Sequence, residues 1–260
     1  MTISLQGQVV VVTGGARRLG RAIALVCARA GADVAITYNR SEGEARQTVE
    51  QLQNAGQDSA RFACFRADVS RVGDVVRLTE DVLQTFGRVT ALVNNAAVFR
   101  RTPFATLTEA DFDDHIAANL KGPYLLSKSF GDIFCERFDE QGAGAIVNIA
   151  DIHGLRPLKN YIPYCVSKAG LVMLTEAMAK ALAPHARVNC ICPGTILPPS
   201  ETQGEDDGEG GDDEASLAAR VPLGRLGTPE EIAQAVAFLL GGPGFISGAI
   251  LPVDGAQRLR

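Results

Sequence analysis

The chain has 260 residues, of which 46% are hydrophobic and 6% aromatic, and its formal net charge is −5. The length suits a single domain over residues 1–260, and the apolar content excludes a globally disordered protein. Eight of the 30 acidic residues lie at positions 201–214, so that 25 basic residues face 22 acidic ones elsewhere. The sequence contains no dense basic run, no signal-peptide pattern and no apolar run of about 18 residues. We therefore expect a cytoplasmic protein with no nucleic-acid partner and no membrane span.

Short β-branched runs alternate along the chain with longer patterns of helical periodicity. The short runs are continuously apolar, which is typical of a sheet that is covered on both faces. They predict strands at residues 9–12, 34–36, 61–65, 91–93, 145–149, 188–191 and 250–253. Helices are predicted at residues 18–30, 42–55, 71–86, 109–138 (long or broken), 161–183 and 229–240. This alternation predicts an α/β fold with a parallel, doubly wound sheet.

Capping signals support three of the predicted helix starts. Ser70 precedes the third helix, and Thr108 with Asp111 resembles a capping box. Thr228 stands before Pro229, which suits the first position of a helix.

Residues 198–214 interrupt the alternation, since they are rich in Gly, Asp, Glu and Pro and almost devoid of large apolar side chains. Such a segment cannot bury itself. It follows the predicted sixth strand, and ligands of open α/β sheets bind beyond the carboxyl ends of the strands. Two interpretations stay open, a mobile flap over a ligand and a solvated loop without a role, and both predict weak order.

The six cysteines are scattered and lack the paired spacing of a zinc site. Even the nearest pair, Cys190 and Cys192, is too close for a zinc knuckle. We therefore expect no metal ion and predict buried, reduced thiols.

The first strand and the first helix are joined by the glycine-rich sequence TGGARRLG at residues 13–20. Glycine lets backbone N–H groups approach a pyrophosphate, and the helix adds the positive end of its dipole. Arg18 stands where another glycine of the dinucleotide-binding pattern is expected. Such a turn is weak evidence by itself, because strand-to-helix turns also use glycine for steric reasons. The candidate cofactor-binding residues here are Gly14, Arg17, Arg18, Leu19 and Gly20.

The end of the second strand distinguishes NAD from NADP, because an acidic residue there repels the 2′-phosphate and an arginine accepts it. This position holds Tyr38, Asn39, Arg40 and Ser41, with no acidic residue among them. Together with Arg17, they favour NADPH/NADP as the cofactor. After the third and fourth strands, further cofactor contacts are expected from Asp68, Val69, Asn95, Ala96 and Ala97.

Tyr164 and Lys168 are four residues apart in a predicted helix, so the ammonium group lies on the same face as the phenol. A nearby cation stabilises the phenolate, and we predict that it lowers the pKa of Tyr164 and makes it a useful proton donor. Such a pair is common by chance on helix surfaces. This pair follows the fifth predicted strand, in a chain that has a glycine turn after the first strand. That context favours a catalytic role over a chance surface pair.

Taken together, these features resemble the short-chain dehydrogenase/reductase family over nearly the whole chain. The matching features are TGGARRLG at 13–20, Asp68-Val69, NNA at 94–96, Asn119, YCVSK at 164–168, Pro193-Gly194 and Val253-Asp254-Gly255. The resemblance implies a Rossmann-like sheet of seven strands, an NAD(P) cofactor and a frequent homotetramer. It also implies roles for Tyr164 as proton donor, Lys168 in binding the nicotinamide ribose and Asn119 in a water-linked proton relay. Pro193, Gly194 and Ile196 are further expected cofactor contacts.

Two departures from the family pattern resemble its pteridine reductase branch, especially the bacterial members. Asp151 replaces the usual serine thirteen residues before Tyr164, and Arg18 replaces a glycine. An ionised carboxylate cannot donate to a ketone oxygen, but it suits a nitrogen heterocycle. The branch also has a phenylalanine that stacks on the pterin, and the matching residue is Phe99. The expected substrate contacts are Arg18, Phe99, Asp151 and Tyr164.

The sequence therefore predicts an NADPH-dependent reductase that transfers hydride to a C=N bond of a dihydropterin or dihydrofolate-like substrate. One alternative is a carbonyl reductase of the 3-oxoacyl-thioester type on the same fold. Another is a non-catalytic NADP-binding regulator, which the proton-relay residues disfavour.

Overall fold

A parallel sheet of seven strands forms the centre of the fold in the computed structural model, which describes residues 3–196 and 214–260. The strands are β1 (Val9–Val12), β2 (Asp33–Tyr38), β3 (Phe62–Arg66), β4 (Ala91–Asn94), β5 (Gly144–Ile149), β6 (Ala186–Pro193) and β7 (Ile250–Val253). Their order is β3-β2-β1-β4-β5-β6-β7, and each adjacent pair is parallel. This confirms the predicted Rossmann-like, doubly wound fold. The strand order reverses between β1 and β4, where such sheets bind their ligands.

Helices cover both faces of the sheet. They are α1 (Arg18–Arg29), α2 (Glu42–Ala55), α3 (Val72–Phe86), α4 (Glu109–Ile116), α5 (Gly122–Glu136), α6 (Phe138–Gln141), α7 (Ile162–Leu182), α8 (Glu214–Ala218) and α9 (Pro229–Gly241). In β1, Val10 and Val12 pack toward α1, α2 and α9, whereas Val9 and Val11 pack toward α3, α5 and α7. Each face of the strand is buried, which explains why its sequence is continuously apolar rather than alternating.

Two of the three predicted helix starts are confirmed as capping boxes. The Thr108 hydroxyl accepts from the backbone N–H of Asp111, whose carboxylate accepts in return from Thr108 N. Thr228 and Glu231 make the same reciprocal pair at the start of α9, with Pro229 in the first turn. These bonds satisfy N–H groups that a helix leaves without intrahelical partners.

The prediction that Ser70 caps the third helix is wrong, because Ser70 takes part in a local turn. The Ser70 hydroxyl donates to Asp68 Oδ1 at 2.6 Å instead of capping a helix. Arg71 occupies the N-cap position without a side-chain cap, and α3 begins at Val72. Serine favours such local bonds with a nearby aspartate over continuing a helix.

The helix predicted over residues 109–138 is continuous from α4 to α5, with one π-helical segment between them, and it breaks near its C-terminal end. A π-helical segment, Ala117–Lys121, joins α4 to α5, and the residues that flank it keep right-handed helical dihedrals. The continuous helix ends at Arg137, where φ is −109° and ψ is 15°. A single π turn frequently marks a functional site. Here it carries Asn119, which is buried.

Most of the acidic segment, residues 198–213, lies outside the described residues, and the flap hypothesis remains a prediction. Glu214 begins α8. In the described part of the chain, no helix has both the length and the apolar character needed to cross a membrane.

The cysteine prediction holds in part. All six thiols are free, and Cys27, Cys165, Cys190 and Cys192 are buried. Cys135 is exposed, so the prediction that the cysteines are buried is wrong there. It lies near the end of α5, on the solvent side of an amphipathic helix. Across residues 3–196 and 214–260, no group of three or more His, Cys, Asp or Glu side chains is arranged to hold a metal ion.

Candidate active site

A cleft of about 410 Å³ opens at the carboxyl ends of β1, β2 and β4, where the strand order reverses. It brings together most of the residues predicted to bind the cofactor. These are Gly14, Arg17, Arg18, Leu19, Gly20, Tyr38, Asn39, Arg40, Ser41, Asp68, Val69, Asn95, Ala96 and Ala97. The cleft extends from the glycine turn past the ends of β2 and β3 to the loop after β4, a path that suits an elongated dinucleotide.

The glycine turn fits a pyrophosphate. A Cβ on Gly20 would lie 2.1 Å from the carbonyl oxygen of Gly14 and 2.6 Å from Asn95 Nδ2, so only glycine permits this close packing. Gly14 itself has a φ of 62°, in the region that favours glycine. The side chain of the N-cap residue, Arg17, makes no capping hydrogen bond to α1. The first-turn N–H groups at this helix end therefore suit an anionic group of the cofactor.

Arg18 adopts the backbone conformation of the glycine that it replaces. Its φ is 50°, a left-handed conformation that costs an L-residue about 1–2 kcal/mol. The side chain is exposed and lines the cleft. The strain shows why a glycine was expected at this position. The arginine that stands there places a guanidinium group beside the cleft.

Two threonines that sequence reasoning did not count as site residues hold the cleft together. Thr13 Oγ1 accepts from the backbone N–H groups of Asn95 at 2.9 Å and Ala96 at 3.0 Å, which ties the end of β4 to β1. Thr37 Oγ1 accepts from Gly14 N at 3.2 Å and ties the glycine turn to β2. A threonine at the end of a strand gives no local signal of this function, because its partners are distant in sequence.

The catalytic candidates meet at the carboxyl end of β5. The Tyr164 hydroxyl, in the first turns of α7, donates to Asp151 Oδ2 at 2.7 Å. The other carboxylate oxygen accepts from His153 N at 2.8 Å, in the short 3₁₀ helix Ile152–Gly154. These two bonds fix the carboxylate against the phenol. Two residues that are thirteen positions apart in the chain are thus in direct contact.

The prediction that Lys168 lowers the pKa of Tyr164 is wrong in this structure. Burial, followed by the negative charge of Asp151 and its hydrogen bond, raises the pKa of Tyr164 well above 10.0. Lys168 Nζ lies 5.7 Å from the centroid of the tyrosine ring and donates to the carbonyl oxygen of Ile149 at 2.8 Å. Burial also lowers the pKa of Lys168 itself. Burial and the carboxylate both favour the neutral phenol, so Tyr164 is protonated at neutral pH.

Asn119 connects the loop after β4 with α7. Its side-chain oxygen accepts from Val98 N at 2.7 Å, and its Nδ2 donates to Val98 O at 2.9 Å and to Ser167 Oγ at 3.0 Å. Ser167 Oγ in turn donates to the carbonyl oxygen of Tyr164 at 2.7 Å. The amide therefore fixes the position of α7 relative to the loop after β4. Its expected role in a water-linked proton relay remains a prediction.

Phe99 lies next to Tyr164. Its ring makes an edge contact with Tyr164, with centroids 4.7 Å apart and planes at 76°. It also stacks on Tyr161, with centroids 4.7 Å apart and planes at 12°. Half of the Phe99 surface is exposed, so part of the ring is accessible to a ligand. Phe99, Asp151 and Tyr164 thus form one site, while Arg18 lines the cofactor cleft.

The remaining predicted cofactor residues lie outside the described lining of the cleft. Lys168 is buried below Tyr164, and Pro193 ends β6 opposite Val253. Gly194 N donates to Val253 O at 3.0 Å, and Ile196 makes a bridge with Gly227. All of them except Lys168 are at the carboxyl ends of β6 and β7, on the same edge of the sheet as the cleft.

Comparison with known proteins identifies the family. The family described as enoyl-(acyl carrier protein) reductase matches residues 14–256. An uncharacterized oxidoreductase of Thermotoga maritima is 35% identical over 266 residues, which cover 98% of this chain and 99% of the relative. The 2-(S)-hydroxypropyl-CoM dehydrogenase 3 of Xanthobacter autotrophicus is 35% identical over 265 residues, covering 99% of each chain.

Solved structures agree with these sequence matches. A variant of the Serratia marcescens short-chain dehydrogenase/reductase superposes with a TM-score of 0.86 at 31% identity, covering 98% of this chain and 99% of that one. The names of these relatives do not mention a pterin, so the pteridine reductase branch is not shown. The chain therefore belongs to the short-chain dehydrogenase/reductase family, whose oxidoreductases use a nicotinamide cofactor.

Proposed function

We propose that this oxidoreductase is an NADPH-dependent reductase of the pteridine reductase type, which reduces a C=N bond of a dihydropterin or dihydrofolate-like ring. The observation that carries the proposal is the contact between Asp151 and Tyr164 beneath the half-exposed ring of Phe99. A carboxylate at this position can accept from an N–H or amino group and can share the proton that a ring nitrogen needs. The aromatic side chain suits a flat substrate.

The preference for NADPH rests on the charges at the end of β2. Arg40 is exposed and lines the cleft, and Ser41 lies beside it. The next acidic residue in the chain, Glu42, is paired with Arg46 at 2.7 Å, so its carboxylate already has a cationic partner. We propose that Arg40 and Ser41 bind this phosphate, supported by Arg17, and that Gly14 to Gly20 surround the pyrophosphate.

When bound, NADPH supplies the hydride for reduction. Tyr164, kept protonated by its raised pKa, donates the proton to the substrate nitrogen. The phenolate that would result lies against the carboxylate of Asp151, and like charges at this distance are unfavourable. Lys168 offsets part of this repulsion, and the phenolate oxygen of Tyr164 takes up a proton from solvent before the next turnover.

Phe99 would contribute orientation rather than proton transfer. A flat ring held between an aromatic side chain and the cofactor has few rotational freedoms left, which lowers the entropic cost of reaching the reactive geometry. Arg18 lies at the cofactor side of the same region and can contact a ring substituent or a phosphate. Its strained backbone is consistent with a functional role, because a glycine would relax it.

A carbonyl reductase of the 3-oxoacyl-thioester type is the alternative enzyme, and the family name matched by the chain refers to an acyl carrier protein. The presence of a carboxyl group at Asp151 instead of the usual serine hydroxyl argues against it, because a carboxylate cannot donate to the alkoxide that develops from a ketone. A non-catalytic NADP-binding regulator does not need the Asp151–Tyr164 pair. The homotetramer and the cytoplasmic location remain predictions.

The test is an NADPH-oxidation assay on the purified protein with dihydrobiopterin, dihydrofolate and an acetoacetyl thioester side by side. We expect turnover of at least one of the two pterin substrates and little turnover of the thioester. Reduction of the thioester alone would identify a carbonyl reductase. Binding of NADPH without turnover of any of the three would support the regulator instead.

A further inference from the structure

Tyr161 has no part in the proton transfer described above, yet it contacts the aromatic side chain of the substrate site. Its ring is nearly parallel to that of Phe99, with a centroid separation of 4.7 Å. Phe99 in turn meets Tyr164 edge-on. Both geometries are the favoured arrangements of aromatic pairs, so each contact stabilises the position of the Phe99 ring.

The backbone around Tyr161 is fixed from both sides. Tyr161 stands immediately before α7, and its carbonyl oxygen accepts from Cys165 N at 2.9 Å in the first turn. The preceding residue, Asn160, has a φ of 67°, a left-handed conformation that asparagine tolerates better than most residues. This conformation turns the chain into the helix and sets the direction of the Tyr161 side chain.

A backbone bridge joins the loop that carries Phe99 to the loop that carries Tyr161. Thr102 and Tyr161 form an isolated parallel β-bridge, and Thr102 N donates to Asn160 O at 2.7 Å. The Thr102 hydroxyl is also within 3.3 Å of Asn160 O. The two rings therefore stack between two loops that are hydrogen-bonded to each other, rather than as two independently mobile side chains.

Phe99 keeps half of its surface exposed although it contacts two aromatic neighbours. Tyr161 covers one face of its ring, and Tyr164 meets the ring edge-on. A side chain held in this way offers a fixed flat wall beside the reactive hydroxyl. Such a wall has good complementarity to a planar ring and poor complementarity to a flexible acyclic chain.

We propose that Tyr161 is a positioning residue that holds Phe99 in place, and that this pair selects substrates with a flat, conjugated ring at the reacting centre. The selection of a ring substrate rests on the proposed function, whereas the coupling between Tyr161 and Phe99 is independent of the reaction. Tyr161 acts through Phe99, so its effect on binding disappears when Phe99 is removed.

The experiment is a double-mutant cycle on the NADP-loaded enzyme, with binding of a planar probe, 2,4-diaminopteridine, measured by calorimetry. We expect Tyr161→Leu to weaken binding by about three- to tenfold, from the usual strength of an aromatic pair. Tyr161→Phe keeps the stacking and should bind within about twofold of the unmodified protein. The double variant with Phe99→Leu should bind no worse than Phe99→Leu alone. Tyr124→Leu, at an exposed tyrosine on α5, is the matched control and should have no effect.

Three further measurements separate positioning from a structural role. In Tyr161→Leu, NADP affinity should stay unchanged and the melting temperature should fall by no more than about 4 °C, the usual effect of losing one aromatic contact. KM for a dihydropterin should rise more than kcat falls. Tyr161→Met replaces the leucine variant if the latter does not fold. Additive effects of Tyr161 and Phe99, loss of binding in Tyr161→Phe, or no binding of the probe to the unmodified enzyme would overturn the inference. Coupled binding without any reduction of dihydropterins would leave it standing and would refute the proposed function alone.

Discussion

Replacing Asp151 by serine tests the assignment of the site most directly. The substitution removes a carboxylate that accepts from Tyr164 at 2.7 Å and from His153 N at 2.8 Å. A hydrogen bond to a charged group contributes about 1.5–3 kcal/mol, which corresponds to roughly 10- to 150-fold. A positioned acid or base contributes about 10²- to 10⁴-fold to the rate. We therefore expect Asp151→Ser to lower kcat/KM for dihydrobiopterin by about 10²-fold or more.

The same substitution should change the titration of Tyr164. Burial is the largest cause of its raised pKa, followed by the charge and the hydrogen bond of Asp151. Removing Asp151 removes the second and third causes and leaves the first. The pKa should fall and still remain above the ordinary value of a tyrosine. Alkaline absorbance titration, with Tyr164→Phe to identify the signal among the four tyrosines, measures this shift.

The assay compares kcat/KM for dihydrobiopterin with that for a ketone, in the unmodified enzyme and in Asp151→Ser. Asp151→Asn is the matched variant, because it keeps the shape of the side chain while removing the charge and replacing one acceptor oxygen by an NH2 donor. NADPH affinity should survive in both, since Asp151 is proposed to face the substrate. Undiminished pterin reduction in Asp151→Ser would refute the reasoning. Robust ketone reduction by the unmodified enzyme, with none on pterins, would do the same.

Three further predictions concern the cofactor cleft and the stability of the fold. Arg40→Asp should raise KM for NADPH by about ten- to a hundredfold, because the carboxylate repels the 2′-phosphate. The KM for NADH should stay the same or fall. Equal use of both cofactors by the unmodified enzyme would contradict this prediction. Gly20→Ala should abolish NADPH binding and lower the melting temperature, since its Cβ would meet backbone at 2.1 Å, whereas the control Gly43→Ala has nothing within 4 Å and should be tolerated. The ion pair with Arg225, followed by a backbone N–H, holds the pKa of Glu231 at about 2. Its stabilising effect is therefore complete above the ordinary value of 4.5 and lost as the pH falls toward 2, so the difference in unfolding free energy between the unmodified protein and Glu231→Gln should shrink on acidification. A pH-independent difference would show that the pair contributes nothing through this titration.

The sequence by itself determined the order and type of the main elements. Four consecutive valines in β1 and the similar runs of the other strands could be recognised because both faces of the sheet are buried. The glycine turn at residues 13–20 and the capping boxes of α4 and α9 could also be recognised from the sequence. Each depends on residues that are neighbours in the chain, so its signal is local.

Only the tertiary structure decided which distant residues support the site. Thr13 and Thr37 hold the cleft through partners on other strands, and Tyr161 meets Phe99 through a bridge between two loops. The π turn around Asn119 has no separate sequence signal within a continuous helical pattern. These features depend on contacts between segments that the chain brings together only when it folds.

The proton chemistry shows the difference most clearly. The four-residue spacing of Tyr164 and Lys168 on one helix predicted a lowered pKa for the phenol, because only the ammonium group is a near neighbour in sequence. In the fold, burial and the carboxylate of Asp151, 13 residues earlier but 2.7 Å away, raise that pKa instead. Spacing along a helix determines which groups are close, but a pKa depends on every charge and on all the solvent around the group. That environment is fixed only when β5 and α7 pack together.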